Sequence, residues 1–127
     1  MLRILLVGFA GLAGTLCRYW LSGAVGRRYG EAFPFGTLAV NLAGCFAAGL
    51  LFHFMQERDT FSETARAAVF VGLLGGFTTF SAYGLQTFAL LREGRLGVAA
   101  LNVVASNLLG LLLVWAGYAA ARLVGGA

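Results

Sequence analysis

Lysine is absent from this 127-residue chain, and only 11% of its residues carry charge. A soluble domain has about a quarter charged residues, and a chain this short has little interior in which to hide apolar surface. Yet 60% of the sequence is hydrophobic, so lipid rather than water suits it as solvent. Linkers, low-complexity segments and long loops are also missing. Two cysteines and one histidine, widely spaced, make no zinc signature. Cys17 and Cys45 fall within apolar stretches, where a free thiol behaves as a small hydrophobe. His53 ends such a stretch and reads as an interfacial polar residue. With no nucleophile–base pair, metal triad or phosphate loop, enzymatic chemistry is not expected. The net charge of +4 is arginine flanking apolar segments, not a nucleic-acid surface.

What the chain does have is four long apolar stretches, at about residues 4–25, 35–54, 67–91 and 96–121. Each is near or above the roughly 20 residues an α-helix needs to cross a bilayer. The shorter, alternating segments of a membrane β-barrel are absent. The start "MLRILLVGFAGLAG" has the charge and apolar run of a signal peptide, but the run continues past any cleavage point as a full span. Leu16 rather than a small residue precedes Cys17, which argues against a lipoprotein site. The expectation is an all-α membrane protein, with residues 1–127 forming a single domain of four transmembrane helices.

Four spans put both termini and the second loop on one side, where Arg3, Arg58, Arg66 and Arg122 lie. Arg27, Arg28, Arg92 and Arg95 lie on the other. Orientation follows the lysine and arginine bias of short loops, and here the two sides balance. A weakly biased protein of one orientation would show this, but dual topology suits it better: copies insert both ways and pair as an antiparallel homodimer. Four small spans enclose little interior, which also favours pairing.

Each span carries one stripe of small or polar groups at helical spacing. They are Gly11, Thr15, Arg18 and Ser22; Thr37, Asn41, Gly44 and Ala48; Phe80, Tyr83, Gly84 and Thr87; and Asn102, Ser106 and Gly110. Helix packing accounts for many of the small residues. Asn41, Asn102 and Arg18 are harder to explain that way, because polar groups at membrane depth are costly and mark pathways. No aspartate or glutamate lies in any span: Glu31, Glu57, Asp59, Glu63 and Glu93 all sit in spacers. A cation or proton transporter relies on a buried carboxylate. This interior offers donors instead, namely amides, hydroxyls such as Thr79 and Ser81, a guanidinium, and the positive edges of aromatic rings. The pattern suits a small anion whose hydration shell is replaced by closely spaced donors.

Three segments carry a resemblance. "GLAGTLCRYWL", "PFGTLAVNLAGCFAAG" and "GLLGGFTTFSAYG" together resemble the Fluc or CrcB family of small bacterial fluoride channels, over essentially the whole chain. The resemblance implies an antiparallel, dual-topology homodimer with two pores in the bacterial inner membrane, passing fluoride passively and excluding chloride. By matching position, it implies pore rings at Phe80 and Tyr83, a pore asparagine at Asn41 and a hydroxyl one turn earlier at Thr37. It places Asn102 and Ser106 on the pore side of the fourth helix and Arg18 in the vestibule. It also implies a break in the third helix near Gly75–Thr78, whose Gly75 and Thr78 carbonyls bind a central sodium ion. Two departures stand out: Tyr83 replaces the family's common phenylalanine, and Asn102 its frequent tyrosine.

The glycines of "GGFTTFSAYG" fit a broken helix without the family name. Non-helical backbone at membrane depth is tolerated where protein covers it, and unwinding frees carbonyls to serve as cation ligands. The same glycines would also permit a close helix crossing. Two rival functions are weaker. A small multidrug transporter is also four-spanning but needs a membrane-embedded glutamate, and an assembly factor would let Asn41, Phe80 and Ser106 be replaced by alanine with no loss of fluoride resistance.

Overall fold

The computed structural model describes residues 1–30, 32–57 and 61–125. Glu31, Asp59 and Arg58, one of the four arginines counted on the first side, lie outside the described residues. The described chain holds four helices long and apolar enough to cross a membrane: Leu2–Tyr29, Phe35–Met55, Glu63–Arg92 and Leu96–Gly125. They overrun the apolar stretches at several ends. In lipid no water is on hand to bond a backbone amide, so long apolar runs become helices whose bonds are internal.

We label these elements α1 (Leu2–Tyr29), α2 (Phe35–Phe52), α3 (residues 63–77), α4 (Phe80–Arg92) and α5 (Leu96–Gly125). Helix α1 ends at Gly30, whose φ of 77° suits glycine, and whose amide bonds the Gly26 carbonyl at 2.8 Å. Pro34 opens α2, its carbonyl accepting from Leu38 at 3.0 Å. Ser62 caps α3 through its side chain, and Glu63 in the first turn complements the helix dipole. At the end of α4, Gly94 has a φ of 72°, and the Arg95 amide reaches back to Leu90 at 2.9 Å. That is the bond pattern of a glycine-terminated helix.

Among the described residues three stretches are π-helical: His53–Glu57 closing α2, Ala67–Leu74 within α3, and Ala105–Leu109 within α5. Short π segments often mark functional sites. Both sides of the molecule are tied across loops. Arg3 pairs with Glu63 at 3.7 Å, and Tyr118 donates to Glu57 at 2.9 Å. On the opposite side Arg95 donates to the Ala32 carbonyl.

Glycines set the helix crossings. A Cβ on Gly14 would strike the Leu73 carbonyl, and one on Gly76 would strike that of Gly11. These contacts pack α1 backbone-to-backbone on α3. In the same way Gly49 lies against Val114, and Gly117 against Phe46, so α2 and α5 touch through their main chains. Small residues at crossings are how membrane helices gain packing without a hydrophobic drive. Val40 of α2 is fully buried. Large apolar side chains are instead turned outward, among them Phe9, Leu12 and Trp20 of α1 and Leu111 and Trp115 of α5.

Helix α4 stands apart. Leu90 is its one buried residue, while Phe80, Leu85 and Phe88 are exposed. The break before it falls on Thr78 and Thr79, both extended, with φ, ψ of −82°, 160° and −149°, 109°. Gly75–Phe77 remains helical. The interruption therefore sits at the C-terminal edge of the expected Gly75–Thr78 stretch. Gly76 serves the crossing with Gly11 and not the unwinding.

Candidate functional site

Asn41 of α2 holds the break open. Its Nδ2 donates to the Thr79 carbonyl at 3.0 Å, and its Oδ1 accepts from the Thr79 amide at 2.8 Å. The side-chain amide thus pairs with a main-chain residue as a neighbouring β-strand would. The Thr79 hydroxyl accepts from the Ala82 amide at 3.1 Å and restarts the helix as α4. Before the gap, the amide and hydroxyl of Thr78 both bond the Leu74 carbonyl, at 2.9 and 3.0 Å. Gly44 lets α2 approach here, since a Cβ on it would collide with the Thr78 methyl.

This wiring frees two carbonyls. In a continuous helix the Thr79 amide would bond Gly75 and the Ala82 amide would bond Thr78. Both amides are taken by side-chain oxygens, so the Gly75 and Thr78 carbonyls keep their lone pairs. Such oxygens are hard ligands of the kind a cation takes, and Gly75 lies on the exposed face of the chain. Among the described residues no group of three His, Cys, Asp or Glu could hold a metal. The carbonyl between them is used differently. Arg18 Nε donates to Gly76 O at 3.0 Å, and Thr15 adds a longer bond of 3.5 Å. Arg18 thereby ties α1 to the end of α3.

A cavity of about 440 Å³ opens beside the break. Asn41, Gly75, Thr78, Thr79, Phe80, Tyr83 and Ser106 line it, together with Asn107 and Cys45. The rings of Phe80 and Tyr83 stand 5.4 Å apart, tilted by 52°. Phe80 is 82% exposed, with its ring edge available. Ser81 is exposed too, its hydroxyl 3.4 Å from that of Thr79.

Asn102 is placed elsewhere. It is only 2% exposed and clamps α4 to α5 through Nδ2, which donates to the Thr87 hydroxyl at 2.9 Å. Thr87 in turn donates to the Tyr83 carbonyl at 2.8 Å, and Ser106 reaches the Asn102 oxygen at 3.5 Å. The result is a chain of bonds running from Ser106 to the backbone of Tyr83. Thr37 lines a second cavity, of about 450 Å³, between α1, α2 and the end of α4. Gln86 also lines it, and its buried Oε1 has no partner among the described residues.

At the other end of α2, outside the span, the Glu57 carboxyl is held below its ordinary pKa. The hydrogen bond from His53 is the main cause, followed by that from Tyr118. His53 is buried and spends its Nδ1 on Glu57 at 2.8 Å, so it anchors the helix end instead of standing free at the interface.

The family model described as "CrcB-like protein, Camphor Resistance (CrcB)" matches residues 5–118. The chain belongs to that family. Within the CrcB family it is 44% identical over 124 residues to the protein named "Fluoride-specific ion channel FluC" of Geotalea daltonii, covering 98% of this chain and 100% of the relative. Relatives of the same name in Citrifermentans bemidjiense and Geobacter sulfurreducens are 43% and 44% identical over 122 residues. Each of these alignments covers 96% of this chain and 98% of the relative. These relatives are channels and not enzymes.

Of the residues singled out in this CrcB chain, Asn41, Gly75, Thr78, Thr79, Phe80, Tyr83 and Ser106 line this cavity, whereas Arg18, Thr37, Ser81 and Asn102 do not; Asn107, which was not singled out, lines it too. The stripe 102, 106, 110 assumes regular α-helix, in which adjacent residues diverge by about 100°. The π-helical turn Ala105–Leu109 lets Ser106 and Asn107 line one cavity. The signal available for Asn107 was simply a polar residue at membrane depth.

Proposed function

We propose that the protein is a fluoride-selective channel of the bacterial inner membrane, working as an antiparallel, dual-topology homodimer. It lets cytoplasmic fluoride leave passively and so lowers fluoride toxicity. The observation that carries this reading is the cavity beside the break. It gathers aromatic rings, hydroxyls and amides, and neither its lining nor any of the four apolar stretches of the sequence contains an acid. The names of the relatives support it.

Fluoride enters cells as the weak acid HF and dissociates inside, so a passive anion leak suffices for export. A small anion gives up its water only where donors replace it. Asn41 spends one Nδ2 proton on Thr79 and keeps the second. Thr79 adds a hydroxyl, Ser81 adds one on the exposed face beside the cavity, Ser106 adds one on giving up its long 3.5 Å bond to Asn102, and Phe80 adds a positive ring edge. The dimer is supported by what one chain leaves bare at membrane depth, namely Phe80, Ser81, Gly75 and Asn107. A sodium ion would be held by the Gly75 and Thr78 carbonyls, and would supply a fixed positive charge beside the break.

Expression in a fluoride-sensitive bacterium lacking its own exporter tests the function. The chain should restore growth in fluoride medium, and Phe80→Ile, which has no positive ring edge, should not while still assembling. Full rescue by Phe80→Ile would refute the ring-edge role. Replacing sodium in the purified protein should weaken dimer assembly or flux; indifference to the exchange counts against the central ion.

A further inference from the structure

Asn107 sits on α5 with both protons of its amide committed. Nδ2 donates to the Val103 carbonyl at 2.8 Å and to the Tyr83 hydroxyl at 3.3 Å. The first bond fixes which way the amide points, because a carbonyl only accepts. The atom facing Tyr83 is therefore the nitrogen, and the Tyr83 oxygen is the acceptor. A phenol that accepts still has its own proton to give. Among the described residues the Tyr83 hydroxyl donates to nothing, and it belongs to the same cavity as Asn41, Thr79, Phe80 and Ser106.

We infer that Asn107 is a positioning residue for the ion path: it holds the Tyr83 hydroxyl so that the phenolic proton is turned to the anion. The inference rests on the channel reading above and deepens it by adding one donor and the group that aims it. Two consequences follow from the geometry. The bond pins the second aromatic ring against Phe80 in the tilted arrangement seen. In addition, accepting a bond polarises the phenol, and chained hydrogen bonds strengthen one another by about 10–30% in condensed phase. Tyrosine at this position is then a ring edge and a hydroxyl donor in one residue. The commitment also explains why an exposed asparagine is kept at membrane depth on α5, where a lipid-facing amide would be costly.

The test is a double-mutant cycle read as fluoride efflux from liposomes, with Tyr83→Phe, Asn107→Leu and the pair. Losing one useful hydrogen bond corresponds to about a fivefold slowing, expected for each single variant. In the Tyr83→Phe background, Asn107→Leu should add nothing, since the hydroxyl it positions is already gone. A purely structural asparagine would slow both backgrounds alike. Losses that multiply, an Asn107→Leu protein as fast as the parent, or a Tyr83→Phe protein unimpaired would each overturn the inference. Should Asn107→Leu fail to give a monodisperse protein, Asn107→Thr takes its place. Its hydroxyl bonds back to Val103 but falls short of Tyr83, and the same rule applies. A parent protein that passes no fluoride would instead defeat the channel reading itself.

Discussion

Asn41 does two jobs with one amide. Its oxygen and one nitrogen proton complete the backbone of Thr79, and its second proton is left for the cavity. A buried amide stripped of its partner costs about 1–3 kcal/mol. Asn41→Leu should therefore lower stability by about that amount as well as lowering flux, readable as an earlier thermal transition in detergent. An unchanged transition would mean that the break stands without Asn41. The sequence marked Asn41 for function, since asparagine at membrane depth is conspicuous. That it also builds the break was not legible, because its partner Thr79 is 38 residues away and no local pattern links them. Asn102 shows the converse. Its helical stripe suggested a pore position, but the position of α4 beside α5 turns it inward onto Thr87.

At the scale of elements, the four spans and their loops could be read from apolar length alone. The place of the break could not. Two glycines in succession suggest unwinding, yet Gly75–Phe77 stays helical, because Gly76 is needed where α3 crosses Gly11. The π-helical turns were invisible too, since apolar periodicity does not distinguish one inserted residue. Crossings give a sharp prediction. Gly49→Val places its side chain into the Val114 carbonyl, whereas a side chain at Gly8 meets nothing within 4 Å. Gly49→Val should fail to yield monodisperse protein, and Gly8→Ala should behave as the parent; equal behaviour of the two would contradict the α2–α5 contact. The end of α2 is expected to respond to pH. Glu57 is depressed below its ordinary 4.5 by His53 and then Tyr118, so its contribution is present above that value and disappears as pH falls through the lowered one. The gap in melting temperature between parent and Glu57→Gln should hold steady above about pH 5 and close on further acidification. A gap that ignores pH would show that the carboxylate contributes nothing.

At the scale of the whole molecule, the proposed dimer accounts for what one chain leaves exposed. Phe80 is 82% exposed, and polar groups on α4 and α5 face outward beside it. In the proposed dimer a second copy would cover them, and the even count of arginines expected on the two sides would allow that copy to insert inverted. In a background lacking Cys17 and Cys45, a single loop cysteine should be labelled from both sides of the membrane in intact cells. Labelling from one side alone would rule out dual topology. The claim on which the rest depends is selective fluoride passage, and efflux from liposomes holding purified protein tests it most directly. Loaded with potassium fluoride and opened to potassium by an ionophore, they should release fluoride to an ion-selective electrode rapidly, while matched chloride-loaded liposomes should retain their anion. Equal release of chloride, or retention of both ions, would contradict the account.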